Sequence, residues 1–208
     1  YFADCTIFIP DQPPMRVSRA VLSNFSSFFK SGFTSEMDES KTNEVQIKFN
    51  PCNMLPAVIH YMHTECIDVT PENIMPLIET SLYYGVDSLS EGLLAKLDEE
   101  VTPENVLYFV QSCYDNSLQR SLNVISKHVS RLYDSINRED IRNNFDIEVF
   151  CTILTDAVQV YGFRGNLKNE ILQFMKDAPV ETQEQADALN SLAHLGKGIP
   201  SNWTVGNK

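Results

Sequence analysis

Glycine is scarce in this chain of 208 residues, with 8 in all and none between Gly92 and Gly162. Cradling a phosphate on bare backbone takes closely spaced glycines, and neither the Walker pattern nor G-x-G-x-x-G is present. Basic side chains are also few: Lys+Arg 16 stand against Asp+Glu 28, a formal net charge of -12. That balance repels phosphate backbones and anionic lipid, so neither nucleic acid nor a membrane is an expected partner. No apolar run approaches the roughly 18 residues that a membrane-spanning helix needs, and Asp4 and Asp11 interrupt the one apolar stretch that could open a signal peptide. Cysteines number 5, an odd count at irregular spacings inside apolar runs, which suits reduced thiols and a cytoplasmic or nuclear setting better than a disulfide framework.

What the chain does have is enough apolar side chain to build a core. The hydrophobic fraction is 43%, the aromatic fraction 10% and the charged fraction 21%, the profile of a globular protein. Charge is uneven: residues 1–100 carry a net −9 and residues 101–208 a net −3. Cys5 to Ile9 is β-branched and aromatic and ends in a proline-rich turn, after which Met15-Arg16-Val17 is a second short strand. Apolar residues from Ala20 to Phe33 fall at helical spacing and stop at Gly32, and Val45 to Phe49 alternates with period two as a third strand that should pair with the first two. Asn50-Pro51 and Thr70-Pro71-Glu72 read as helix starts, Ser88 with Glu91 as a capping box, and Pro76 as a break in the second turn of its helix.

The hexapeptide Val69-Thr70-Pro71-Glu72-Asn73-Ile74 returns as Val101-Thr102-Pro103-Glu104-Asn105-Val106, a spacing of 32. Nothing else recurs with it, so two good helix starts explain it better than a repeat array. From Val106 onward every apolar pattern is helical. The fold class is therefore α+β, a short three-stranded sheet with helices followed by an all-α antiparallel array. The expected division is 1–98 for the mixed domain, 99–195 for the helical domain and 196–208 for a tail or exit linker.

Catalytic constellations are sparse. His60-x-x-His63-x-x-Cys66 lacks a fourth ligand and turns progressively away from one helix face, so no metal is expected there. No nucleophile signature surrounds any cysteine or serine, and no cofactor and no enzymatic activity are expected. Lys127, His128 and Arg131 share a helix face that reads as solvated. The tract from Phe33 to Ser40 differs, because it sets Met37 among carboxylates, an apolar anchor with a charged rim of the kind used in protein recognition.

These residues resemble the BTB/POZ domain followed by a BACK-type helical region. The resemblance rests on Asp4-Cys5-Thr6-Ile7, Arg19-Ala20-Val21-Leu22-Ser23, Phe28-Phe29-Lys30-Ser31-Gly32-Phe33 with Met37-x-Glu39-Ser40, Tyr61-Met62-His63-Thr64, and Leu82 to Leu89, in the family's order and spacing. A weaker likeness to the BACK region covers Val101 to Asp156, strongest from Phe145 to Asp156. Two features depart from the family: Ser18 stands where histidine is frequent, and the tryptophan-bearing helix of the BACK region is absent, since Trp203 lies beyond it. The resemblance implies an adaptor that binds a cullin-3 ubiquitin-ligase scaffold through Met37, Asp38 and Glu39 beside Phe33. It also implies a pocket lined by Asp4 and Arg19, a homodimer through this domain, and a substrate bound elsewhere. The alternative is a structural or transcriptional scaffold with the same fold and no cullin partner.

Overall fold

The computed structural model describes residues 2–34, 43–176 and 178–206. They fall into two units, Tyr1–Glu100 with Ser112–Leu122, and Val101–Gln111 with Asn123–Lys208. In the first unit β1 (Cys5–Phe8) is the central strand of a three-stranded sheet. β2 (Met15–Val17) lies antiparallel to it with Cys5 opposite Val17, and β3 (Glu44–Gln46) lies parallel with Ile7 opposite Val45. Alternation puts Cys5, Ile7, Val17 and Val45 in the interior. The expectation that β3 pairs with both earlier strands is corrected: it meets β1 alone. The chain reaches β3 through α1 (Arg19–Phe25) and α2 (Ser27–Thr34), and a helical crossover of that kind delivers a parallel strand to the open edge of β1.

Three further helices complete this layer: α3 (Leu55–Thr64), α4 (Ile74–Tyr84) and α5 (Asp87–Glu100). Ile7, Leu22, Leu55, Val58, Ile74 and Leu77 are fully buried. Asn50 serves a later helix than its sequence suggests. Pro51–Asn53 forms only a 3-10 turn, within which Cys52 adopts a left-handed φ of 49°. The Asn50 side-chain oxygen accepts from the Leu55 N–H at 3.0 Å, at the start of α3. The capping box expected at Ser88 is also displaced, because α5 begins at Asp87 and places Ser88 inside the first turn.

The repeated hexapeptide folds identically at both positions. Asn73 Oδ1 accepts from the Thr70 N–H at 2.8 Å, as Asn105 Oδ1 does from the Thr102 N–H. The Thr70 carbonyl takes the Ile74 N–H at 3.0 Å, and the Thr102 carbonyl takes that of Val106 at the same distance. Threonine and proline thus build a leading turn, and the regular helices start at Ile74 and Val106 rather than at the threonines. This resolves Pro76, which lies third in α4, where the N–H it lacks would have had no intrahelical acceptor.

The Thr70 hydroxyl, aided by the backbone N–H of Glu72 itself, holds the exposed Glu72 carboxyl below the usual carboxylate range, and Thr102 does the same for Glu104. A carboxyl whose folded pKa lies below its unfolded value adds stability above the unfolded value and loses it as pH falls through the folded one. Carbon-detected NMR titration should therefore show Glu72 and Glu104 ionising below the unfolded-chain value, with both leading turns loosening at the acid end. Ordinary titration at both positions would contradict the hydroxyl contacts.

α6 (Val106–Asp115) and α7 (Gln119–Arg131) are each cut by the division between units. The rest of the second unit is helical, with α8 (Arg138–Asn144), α9 (Ile147–Gln159), α10 (Leu167–Phe174) and α11 (Gln183–Ser191). Each of these four has a side-chain cap, from Asn137, Asp146, Asn166 and Thr182, the last completed as a capping box by Gln185. Phe150 on α9 stacks on Phe174 of α10 with ring centres 3.8 Å apart. Arg138 ties α8 to α10 through Glu170 at 3.2 Å and lies 4.2 Å over the Tyr133 ring, whose hydroxyl donates to the same Glu170. Among the described residues no strand follows β3.

Candidate partner-binding groove

α4 ends in a Schellman turn. The Val86 N–H bonds the Ser81 carbonyl at 2.9 Å, the Gly85 N–H bonds that of Leu82 at 3.4 Å, and Gly85 takes φ 59°. Glycine is required there twice over, since a Cβ at Gly85 would stand 2.0 Å from the Ser27 hydroxyl. The close approach brings the start of α2 against the end of α4: the Ser27 N–H donates to the Gly85 carbonyl at 3.1 Å. The Ser26 hydroxyl donates to the Tyr84 carbonyl at 2.5 Å and accepts from the Phe29 N–H at 3.2 Å.

This junction gathers aromatics from distant parts of the chain. Tyr84 is buried with its ring stacked on Phe29 at 5.6 Å, and its hydroxyl donates to the Phe49 carbonyl at 2.5 Å. Burial, reinforced by Tyr83, pushes the Tyr84 phenol far above its ordinary range. Phe29 continues onto Phe33 at 6.0 Å, while Tyr83 stacks on Phe49 at 4.0 Å. Phe28 packs edge-on against Tyr84 at 4.9 Å and is nonetheless 41% exposed.

Between these rings lies a groove of about 580 Å³, lined by Phe28, Phe29, Phe33, Val45, Leu82 and Tyr83, with Ser27, Ser31, Gly32, Gln46 and Gly85 completing it. Among the described residues the lining is chiefly aromatic and aliphatic, with the Ser27 and Ser31 hydroxyls and the Gln46 amide as its side-chain polar groups. It is suited to receiving apolar side chains of another polypeptide.

Of the residues singled out from sequence, Phe33 lines this groove, and the Arg19 guanidinium lies 4.6 Å over its ring. Met37, Asp38 and Glu39 lie outside the described residues. The Asp4 carboxylate meets Arg19 at its backbone, accepting the N–H at 2.8 Å, which helps to satisfy the start of α1 where the Ser18 side chain makes no capping bond. Sequence reasoning missed Tyr83, Leu82 and Val45 as groove residues. The adjacent Tyr83-Tyr84 pair was the available signal, since two large aromatics at a helix end face two different neighbours.

His63 has its Nδ1 2.9 Å from the Ile59 carbonyl and its Nε2 3.4 Å from the Ser18 N–H, while Cys66 is exposed beyond α3. Among the described residues no group of three or more His, Cys, Asp or Glu side chains is placed to hold a metal. All five cysteines are free. Burial pushes the thiols of Cys113 and Cys151 up to about 12 and raises those of Cys5 and Cys52, which disfavours the thiolate at all four. No helix among the described residues is long and apolar enough to cross a membrane.

A family model described as the BTB/POZ domain matches residues 1–101. Kelch-like protein 40a of Danio rerio is 26% identical over 106 residues, 51% of this chain and 17% of its own length. Kelch-like protein 38 of Mus musculus is 30% identical over 93 residues, 45% of this chain and 16% of its own. Kelch-like protein 36 of Mus musculus is 22% identical over 179 residues, which takes in 86% of this chain and 29% of that protein. The chain thus spans less than a third of the length of these relatives.

Proposed function

Residues 1–101 are a BTB/POZ domain followed by a helical region, and from that premise we propose that the chain is a protein-interaction adaptor that docks a cullin-3 ubiquitin-ligase scaffold while a substrate is held elsewhere. The observation that carries this reading is the aromatic groove, open to solvent at Phe28 and lined mainly by aromatic and aliphatic side chains. Phe33 belongs both to this groove and to the tract that leads into Met37, Asp38 and Glu39. In the proposed complex Met37 supplies buried contact area, and Glu39 fixes register through a charge-assisted hydrogen bond. Asp4 supports the same face indirectly, by holding the start of α1, which carries Arg19 over Phe33.

The helical region after the BTB domain is read as BACK-like. The match to Kelch-like protein 36 supports this by running over 179 residues. The proposed domain limits are 1–98, 99–195 and 196–208. A homodimer through the BTB domain and a cytoplasmic or nuclear setting belong to the same reading, the latter supported by five free cysteines.

Calorimetric titration of this chain with the N-terminal helical domain of cullin-3 tests the proposal. Micromolar or tighter binding is expected, and Met37→Asp should weaken it by roughly 2 kcal/mol or more, the loss of a hot-spot side chain. Unchanged affinity in a folded Met37→Asp chain would refute the site. Absence of binding by the folded wild type would refute the cullin partner and favour the scaffold alternative, to be pursued through self-association.

A further inference from the structure

Glu79 on α4 is only 2% exposed, and its carboxylate is met by residues that follow the BTB domain in sequence. One oxygen accepts from the Arg120 guanidinium at 3.2 Å, the other from the Ser121 N–H at 2.8 Å. A carboxylate at that depth is tolerated only where donors reach it. Ser121 lies in the first turn of α7, whose N–H groups lack intrahelical acceptors, so Glu79 also completes the start of that helix. The Ser121 hydroxyl adds a second tie, donating to the Met75 carbonyl at 2.8 Å. Held in this way, the Arg120 guanidinium lies 4.9 Å from the centre of the Tyr83 ring and 5.9 Å from that of Phe49. Those two rings are stacked on each other, and Tyr83 forms part of the groove.

We infer that Arg120 is a positioning residue for the groove, fixing the Tyr83 wall from outside residues 1–101. It acts through Tyr83, with Glu79 as its anchor. A flat, delocalised cation can bond a carboxylate along one edge and lie on aromatic faces at the same time, whereas an ammonium on a flexible stem can satisfy the charge without holding the ring. The consequence for affinity rests on the partner reading above; the consequence for the ring does not.

The test uses the full chain labelled with fluorotyrosine, the Tyr83 signal being assigned through Tyr83→Phe, and compares wild type with Arg120→Lys, Tyr83→Ala and the double variant. Arg120→Lys should keep the melting temperature, shift or broaden the Tyr83 fluorine signal, and weaken the cullin-3 N-terminal domain about tenfold. In the Tyr83→Ala background the same change should cost almost nothing further, because the ring it acts through is gone. An unmoved Tyr83 signal would overturn the inference. So would an equal loss of affinity in both backgrounds, which would make Arg120 a direct contact. If the wild type does not bind cullin-3, the partner reading fails by itself and the fluorine signal alone decides the positioning role. Should Arg120→Lys melt early, Arg120→Gln paired with Glu79→Gln removes both charges from the pair and repeats the fluorine comparison.

Discussion

Truncating Tyr84 to alanine is expected to cost the first unit about 4 kcal/mol of stability, the range of large-to-small changes at aromatic core positions. The side chain is 1% exposed and is met on every side by groups that cannot easily close the gap. Phe29 stacks on it, Phe28 and Tyr83 meet it edge-on, and its hydroxyl satisfies the Phe49 carbonyl. Tyr84→Phe separates the contributions. It keeps the ring and removes the hydrogen bond, and should cost about 1–2 kcal/mol because a half-buried carbonyl loses its donor. Urea denaturation of both variants checks the pair of values. If Tyr84→Ala cost less than its phenylalanine counterpart, the ring cluster would be collapsing into the space, and the packing described for the α2–α4 junction would be wrong.

A loss of similar size, about 4 kcal/mol, is expected from Phe150→Ala in the second unit. Phe150 and Phe174 are both buried and lie almost parallel, with 8° between their planes. Removing one ring strips a whole face from the other and leaves an apolar cavity between α9 and α10. Phe150→Leu retains most of the volume and should cost about 1 kcal/mol. Amide exchange over residues 147–174 reads the effect locally, and both helices should lose protection together in the alanine variant. Loss confined to α9 would show that α10 is held independently of the stacked pair.

The parts of this fold that were legible in the sequence are those decided by neighbours along the chain. β1 announces itself as a β-branched and aromatic run closed by a proline-rich turn, and β2 as the short extended segment that follows it, whereas the caps at Asn137, Asp146, Asn166 and Thr182 went unread. β3 was legible as a strand but not in its pairing, because a strand's partner is chosen by the crossover that delivers it. The helix starts read at Asn50 and Thr70 fall several residues early, the regular helices beginning at Leu55 and Ile74. In each case an asparagine bond reached across a turn that propensity alone does not reveal. The groove was nearly invisible. Phe28, Phe33, Val45 and Tyr83 come from α2, β3 and α4, which only the tertiary fold brings together, and the bond from Glu79 to Arg120 spans 41 positions. Trp203, read as part of a tail, is buried, with its backbone N–H and carbonyl both bonded by the Asn190 side chain, a clamp with no signature in either residue's surroundings.

The twofold occurrence of the Val-Thr-Pro-Glu-Asn turn makes the chain its own replicate experiment. One sequence word is spelled once in each unit, with the same threonine-to-asparagine bond at 2.8 Å in each copy. A single substitution made first at one copy and then at the other therefore holds the local chemistry constant and varies only the surroundings. The difference between the two results is what each unit adds to an identical turn, obtained within one molecule, one buffer and one melting curve.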